Sequence, residues 1–335
     1  MKKRFLCFLT MFLFLFVVGC SKENEDSVVK KMKNNMKDIE SYYLSGDLSI
    51  HNNDDQYSYD VEVYFKEDEY YRVNLINKLN NHEQIILKND AGVYVVTPSL
   101  NKSFKFQSNW PNDSSQIYLI ESLCKDISNS NDRGFHSEEN QYIFNIDANY
   151  PNNSNLVKQT IVLDKELNFK SVKVYNEDNV LQMSMDFVDV SINKDIDDSV
   201  FDLNNIINDM NNSNLEEEIN VGSIEDIIYP LYVPTGTVLT EEEKISKTDG
   251  ERIILTFDGE KPFILVEETV SVEEEFLIVP TYGEPYLMMD SVATLSNNSI
   301  SWISEGIEYY LVSDVMSQIE LVEIANSITK IEYDK

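Results

Sequence analysis

Three histidines, His51, His82 and His136, are the side chains best suited to move protons near neutral pH. They lie far apart, and no cysteine or carboxylate stands beside them at ligand spacing, so no zinc signature results. No Gly-x-Ser-x-Gly elbow, phosphate loop or dinucleotide-binding glycine pattern occurs. His82, within Asn81-His82-Glu83-Gln84, is the best enzymatic suspect, and its plainer reading is a polar residue near the start of a strand. Acidic triplets recur at Glu216–Glu218, Glu241–Glu243 and Glu273–Glu275. Calcium loops alternate Asp, Asn and Gly, which none of these does, so they read as solvated loop charge. Of three cysteines, Cys7 and Cys20 lie in or at the end of an apolar N-terminal run, and Cys124 within Ile117–Cys124 reads as a small buried apolar residue. The chain is therefore read as non-enzymatic, with no catalytic residue, no metal and no cofactor.

The chemistry that the sequence does announce is at Cys20. Lys2, Lys3 and Arg4 precede an apolar run, Phe5–Val18, that is shorter than the ~20 residues of a stable membrane span. The run ends in Val17-Val18-Gly19-Cys20, which resembles the lipobox of bacterial lipoproteins. That resemblance implies a leader, 1–19, cut before Cys20, a lipid on the Cys20 thiol, and anchoring at the extracytoplasmic face of the cell membrane. Residues 20–30 would follow as a polar tether. Losing three cations with the leader takes the formal charge from −32 to −35. Such a body repels nucleic acid and anionic lipid headgroups. A chain with 42% hydrophobic residues can nonetheless bury real cores. About 315 mature residues suggest two domains.

These domains must be built largely from strands. Val29, Met32, Met36, Ile39 and Tyr43 recur at helical spacing and predict a helix over Lys30–Leu44. Tyr57, Tyr59, Val61, Val63 and Phe65 then alternate with polar residues, and Tyr71, Val73 and Leu75 repeat the pattern after a turn at Glu67-Asp68. Strands are predicted at Gln84–Lys88, Gly92–Thr97, Ser103–Phe106, Gln141–Ile146, Leu156–Leu163, Ser171–Tyr175 and Val180–Val190, the last with Leu181, Met183, Met185 and Phe187 on one face. Helices are predicted over Ser115–Ile127 and Asp197–Met210. A solvated acidic linker, 211–223, follows. Beyond it, strands at Arg252–Phe257, Phe263–Thr269, Phe276–Val279, Ile300–Trp302 and Glu308–Val312 precede a final helix from Asp314 to Ile328, with Ser313 as its cap.

The run Asn81–Ile86, Gly92–Phe106 with its Thr97-Pro98-Ser99-Leu100-Asn101-Lys102 core, Ser108–Pro111 and Ser115–Leu119 resembles the LolA/RseB-like lipoprotein carrier family, including clostridial members such as the germination lipoprotein GerS. The resemblance covers roughly Val28–Leu203. It implies an α+β fold: a curved antiparallel half-barrel closed by helices over 31–210. Ser301-Trp302, Tyr309-Tyr310-Leu311 and Glu323–Ile328 resemble a second, obscure domain of Gram-positive surface and anti-sigma-type proteins, implying a smaller α+β domain over 224–335.

Within a half-barrel, apolar wall that helices leave uncovered is a binding surface. The candidate wall is Tyr59, Val61, Val63, Tyr71, Val73, Leu181, Met183 and Met185. Two functions follow from the resemblance. One is a lipid-anchored module that binds lipid or an acyl chain on this wall. The other is a regulator of a protein partner, such as a cortex enzyme or a membrane signalling protein. The charge predicts a basic surface on that partner and salt-sensitive association.

Overall fold

The computed structural model describes residues 24–52, 55–67, 69–112, 114–212, 223–248 and 250–328. The leader, Cys20 and most of the acidic linker lie outside them.

Among the described residues, nineteen strands and four α-helices make an α+β fold dominated by two sheets. The N-terminal half gives β1 (Ser41–Asn52), β2 (Asp55–Lys66), β3 (Tyr70–Asn77), β4 (Glu83–Asn89), β5 (Gly92–Thr97) and β6 (Lys102–Phe106). A second run gives β7 (Gly134–Ser137), β8 (Gln141–Asp147), β9 (Lys158–Asp164), β10 (Phe169–Tyr175) and β11 (Leu181–Ile192). Each run is a meander, and β1 pairs antiparallel with β11 to fuse them. Alternate residues of β1 and β2 face one core, where Leu44 stands opposite Val63 and Leu48 opposite Tyr59.

The first helix differs from the sequence expectation. Helix α1 runs Glu25–Lys37, not Lys30–Leu44, and Tyr43 and Leu44 belong to β1. Asn24 caps it by accepting from the Ser27 amide at 2.9 Å, and Glu25 and Asp26 sit favourably in its first turn. The apolar spacing of α1 runs by coincidence into the alternation of β1, which hid the boundary. Helix α2 (Ile120–Asn129) is shorter than expected, because residues 115–119 form an irregular turn. Both helices bury apolar residues in the core shared with the strands: Val28, Val29 and Met32 from α1, and Ile120, Leu123, Cys124 and Ile127 from α2. Helix α3 spans Leu203–Asn212.

The second sheet holds β12 (Thr237–Lys247), β13 (Gly250–Gly259), β14 (Phe263–Thr269), β16 (Glu284–Leu287), β17 (Val292–Leu295), β18 (Ser299–Ser304) and β19 (Ile307–Val312). Strand β15 (Leu277–Thr281) does not join it. It pairs in parallel with β6 and becomes the edge of the first sheet. The last helix, α4, is Gln318–Ala325, and its capping box is Ser317 with Glu320. The expected cap, Ser313, instead accepts from the Val315 and Met316 amides and donates to the Pro262 carbonyl, fixing a turn. Val315, within the expected helix, lies before its observed start and is exposed.

The two halves share polar seams as well. The Tyr59 hydroxyl donates to the Met289 carbonyl at 2.8 Å, and the Val292 amide donates to Gln84 Oε1 at 2.6 Å.

Glu267, on β14, is buried, and its carboxylate accepts from the Ile228 amide at 3.0 Å. Burial, then the nearby Glu242 charge, pushes it up to about 7. Its folded value is above the unfolded one, so its contribution to stability is full below about 4.5 and is lost as pH rises through about 7. Glu267→Gln is expected to flatten this slope, read as melting temperature between pH 5 and 8. An unchanged slope would remove Glu267 as a source.

Candidate functional site

The expected wall residues are mostly spent on packing. Tyr59, Val61, Val63, Tyr71, Val73, Met183 and Met185 are buried in the first core, and Leu181 is half-buried at its edge. Tyr71 packs against Phe65 at 5.0 Å and edge-on against Trp110 at 5.7 Å, so aromatic neighbours take up its faces. Of these eight, Met183 lines a cleft, one between the two halves.

Open apolar space lies elsewhere, under the C-terminal end of α1. A cavity of about 260 Å³ opens between α1, α2 and the β9–β11 end of the sheet. Met32, Met36 and Ile39 form its roof at helical spacing, and Ile120 and Cys124 its side. Phe169, Val190 and Ile192 come from the sheet, and Leu167 from the turn between β9 and β10. Asn35, Asp38, Glu166, Asn168 and Asn193 add polar groups. The C-terminal side of α1 is tied down there, since Asn193 Nδ2 donates to the Asp38 carbonyl at 3.0 Å and its Oδ1 accepts from the Glu40 amide at 2.9 Å.

The turn bearing Leu167 is held in an unusual shape. Leu167 has φ of 71°, a left-handed conformation that costs an L-residue about 1–2 kcal/mol. Asp164 stabilises it by accepting from the Asn168 amide at 2.9 Å and side chain at 3.0 Å, and it pairs with Lys170 at 3.1 Å. These bonds hold the Asp164 carboxyl below the usual range despite burial, which acts the other way. A strained backbone that places an apolar side chain on a cavity wall is a feature of binding sites. Sequence reading noted Met32, Met36 and Ile39 as a helical stripe but gave no sign of Leu167, whose role depends on backbone geometry.

The catalytic suspects are not assembled for catalysis. Burial lowers the His82 pKa, its Nδ1 is 3.4 Å from Ser99 Oγ, and its buried Nε2 has no hydrogen-bond partner. Among the described residues, no carboxylate is hydrogen-bonded to this ring, as a serine–histidine site would require. Burial, then Glu121 and Asp126, pushes the Cys124 thiol far up, so it is a poor nucleophile. Among the described residues, no group of three or more His, Cys, Asp or Glu is placed to hold a metal. Glu241–Glu243 stand on strand β12 rather than on a loop, exposed, and Tyr229 donates to Glu242 at 2.7 Å. Glu216–Glu218 lie outside the described residues. No helix among the described residues is long and apolar enough to cross a membrane.

Residues 1–201 match the family described as "Sporulation protein YdcC-like". The chain is 35% identical over 331 residues to the sporulation protein YdcC of Bacillus subtilis, covering 98% of this chain and 97% of that one. Solved structures of similar shape include the MucA/MucB complex of Pseudomonas aeruginosa, at 12% identity and TM-score 0.32, covering 91% of this chain and 99% of that one. Another is the LolA superfamily protein NE2245 of Nitrosomonas europaea, at 12% identity and TM-score 0.29, covering 52% and 98%. A third is the CwlD amidase of Clostridioides difficile in complex with the GerS lipoprotein, at 13% identity and TM-score 0.27, covering 52% and 96%. The LolA and GerS proteins to which the sequence pointed are thus among these neighbours. At TM-scores this low, likeness of shape carries no function across. Full-length sequence identity does decide kinship, and the chain belongs to the YdcC-like sporulation protein family.

Proposed function

We propose that this chain is a non-enzymatic binding protein of the sporulating cell envelope, held at the extracytoplasmic face of the membrane by a lipid on Cys20. Its apolar ligand, a lipid or the acyl part of a lipoprotein, sits under α1. The single observation that carries this is the 260 Å³ cavity walled by Met36, Ile39, Leu167 and Phe169. That volume lies just below the usual range of ligand sites, roughly 300–1,000 Å³, and suits one short or partly inserted chain. Apolar burial at about 25 cal/mol per Å² supplies the affinity. Two methionines in the roof let the wall adapt to different chains.

A fluorescent fatty acid titrated into the protein tests this. Saturable binding is expected, weakened roughly tenfold or more by Met36→Glu, because the new carboxylate would be desolvated against the chain. Binding that is absent, or indifferent to this change, contradicts the reading.

A second reading, regulation of a protein partner, is favoured by one surface. Tyr229, Leu231, Tyr232 and Val238 are exposed, next to the acidic run Glu241–Glu243. A basic partner with an apolar anchor fits it, and such association weakens with salt. Capture from sporulating membranes at low and high salt checks this; association that ignores salt speaks against a charge-steered partner.

A further inference from the structure

The cleft that Met183 lines has a composition at odds with the rest of the molecule. Twenty residues line it, and none is Asp, Glu, Lys or Arg, although 26% of the chain is charged. It lies at the seam of the two halves and has a volume of about 130 Å³. One side comes from the end of β1, the 114–118 turn, the 150–156 loop and the start of β11. The other comes from Pro285–Met289 and Asn326.

Apart from the His51 imidazole, its polar side chains are hydroxyls and amides. The Tyr118 hydroxyl donates to Gln116 Oε1 at 3.0 Å, and Gln116 Nε2 donates to Ser114 Oγ at 3.1 Å. Across the seam, Asn153 Nδ2 donates to the Tyr286 hydroxyl at 3.2 Å. The Tyr150 hydroxyl is buried and has no hydrogen-bond partner. A buried donor left unmade costs free energy, and native structures keep few of them without a functional reason. The floor is apolar, with Ile117, Leu156 and Met289.

This combination selects a ligand class. With no lysine or arginine in the lining, a phosphate or carboxylate finds no permanent counter-charge, and with no carboxylate an amine finds none. A bare hydrocarbon would strand the hydroxyls and amides. A sugar ring satisfies both features, since its hydroxyls pair with amide and phenol groups while its C–H faces pack on tyrosine rings. We propose that the cleft binds a neutral saccharide, one ring at a time, with an N-acetyl substituent turned to the apolar floor. Bound sugar would bridge the two halves.

Titration calorimetry of the full chain in detergent with tri-N-acetylchitotriose tests the site, with cellotriose as the arm lacking acetamido groups. Binding of the acetylated trimer is expected, with cellotriose weaker. Tyr150→Phe and Asn153→Ala should each weaken it by roughly three- to tenfold. Tyr150→Phe removes a hydroxyl that has no partner in the fold, so its melting temperature should hold or rise while affinity falls. A merely structural role predicts the opposite pairing. No heat with either trimer up to about 10 mM overturns the proposal. Binding unaffected by both variants overturns the site, and equal binding of cellotriose overturns the acetamido preference.

Discussion

Cys20→Ser is expected to release the protein from the membrane almost completely. Acyl chains contribute about 0.8 kcal/mol per buried CH₂, so their loss lowers membrane partition by several orders of magnitude. In the proposed form, cut before Cys20, the body would carry −35 and be repelled by anionic headgroups, and no described helix is long and apolar enough to span a bilayer. Fractionation of cells making each form checks this. Wild type should pellet with membranes and the variant should not. A variant that still pellets would place the anchor somewhere other than Cys20.

Gly46→Val is expected to cost the fold about 3 kcal/mol or more. Gly46 lies in β1 where the pairing with β11 shifts, from Ser45 opposite Asp189 to Gly46 opposite Phe187. A Cβ there would stand 2.3 Å from the Asp186 carbonyl oxygen and 2.7 Å from Met185 Cε. The methionine tip can move, but the carbonyl belongs to the neighbouring strand. Since β1–β11 is the one joint between the two meanders of the first sheet, strain there acts on both. Thermal unfolding should fall by roughly 10 °C, with Gly46→Ala lower by less. Melting equal to wild type would mean that the strands separate freely at this point.

Strand alternation was legible wherever one face is buried and the other wet. Tyr59, Val61, Val63 and Phe65 declared β2, and Tyr71, Val73 and Leu75 declared β3, because burial imposes a period of two. Strand β1 was hidden, since Tyr43 continues the helical spacing of Met36 and Ile39 and Gly46 breaks the alternation. Strand β12 was hidden for the opposite reason. It is an edge strand exposed over most of its length, so its Glu241–Glu243 carries no apolar signal. The last helix was read too long because Ser313 does bind following amides, but closes a turn, while Ser317 starts the helix.

The candidate site was less legible than the sheet. Apolar residues of the candidate wall could be named, but whether a neighbour fills the space beside them depends on three-dimensional packing. Tyr71 is covered by Phe65 and Trp110, residues on another strand and on a distant loop. The cavity under α1 depends on Leu167, whose left-handed backbone no periodicity reveals. The seam cleft is assembled from six separated segments, and its lack of Asp, Glu, Lys and Arg emerges only when they are brought together.

The proposed function turns on an apolar ligand held under α1. Native mass spectrometry of the protein taken from sporulating cells, in wild-type and Met36→Glu forms, tests it most directly. The account predicts a mass increment of lipid size on the wild type, beyond that of the Cys20 modification, and its loss in the variant. A wild-type mass explained by the polypeptide and its anchor alone, even after exposure to membrane lipid, would contradict it.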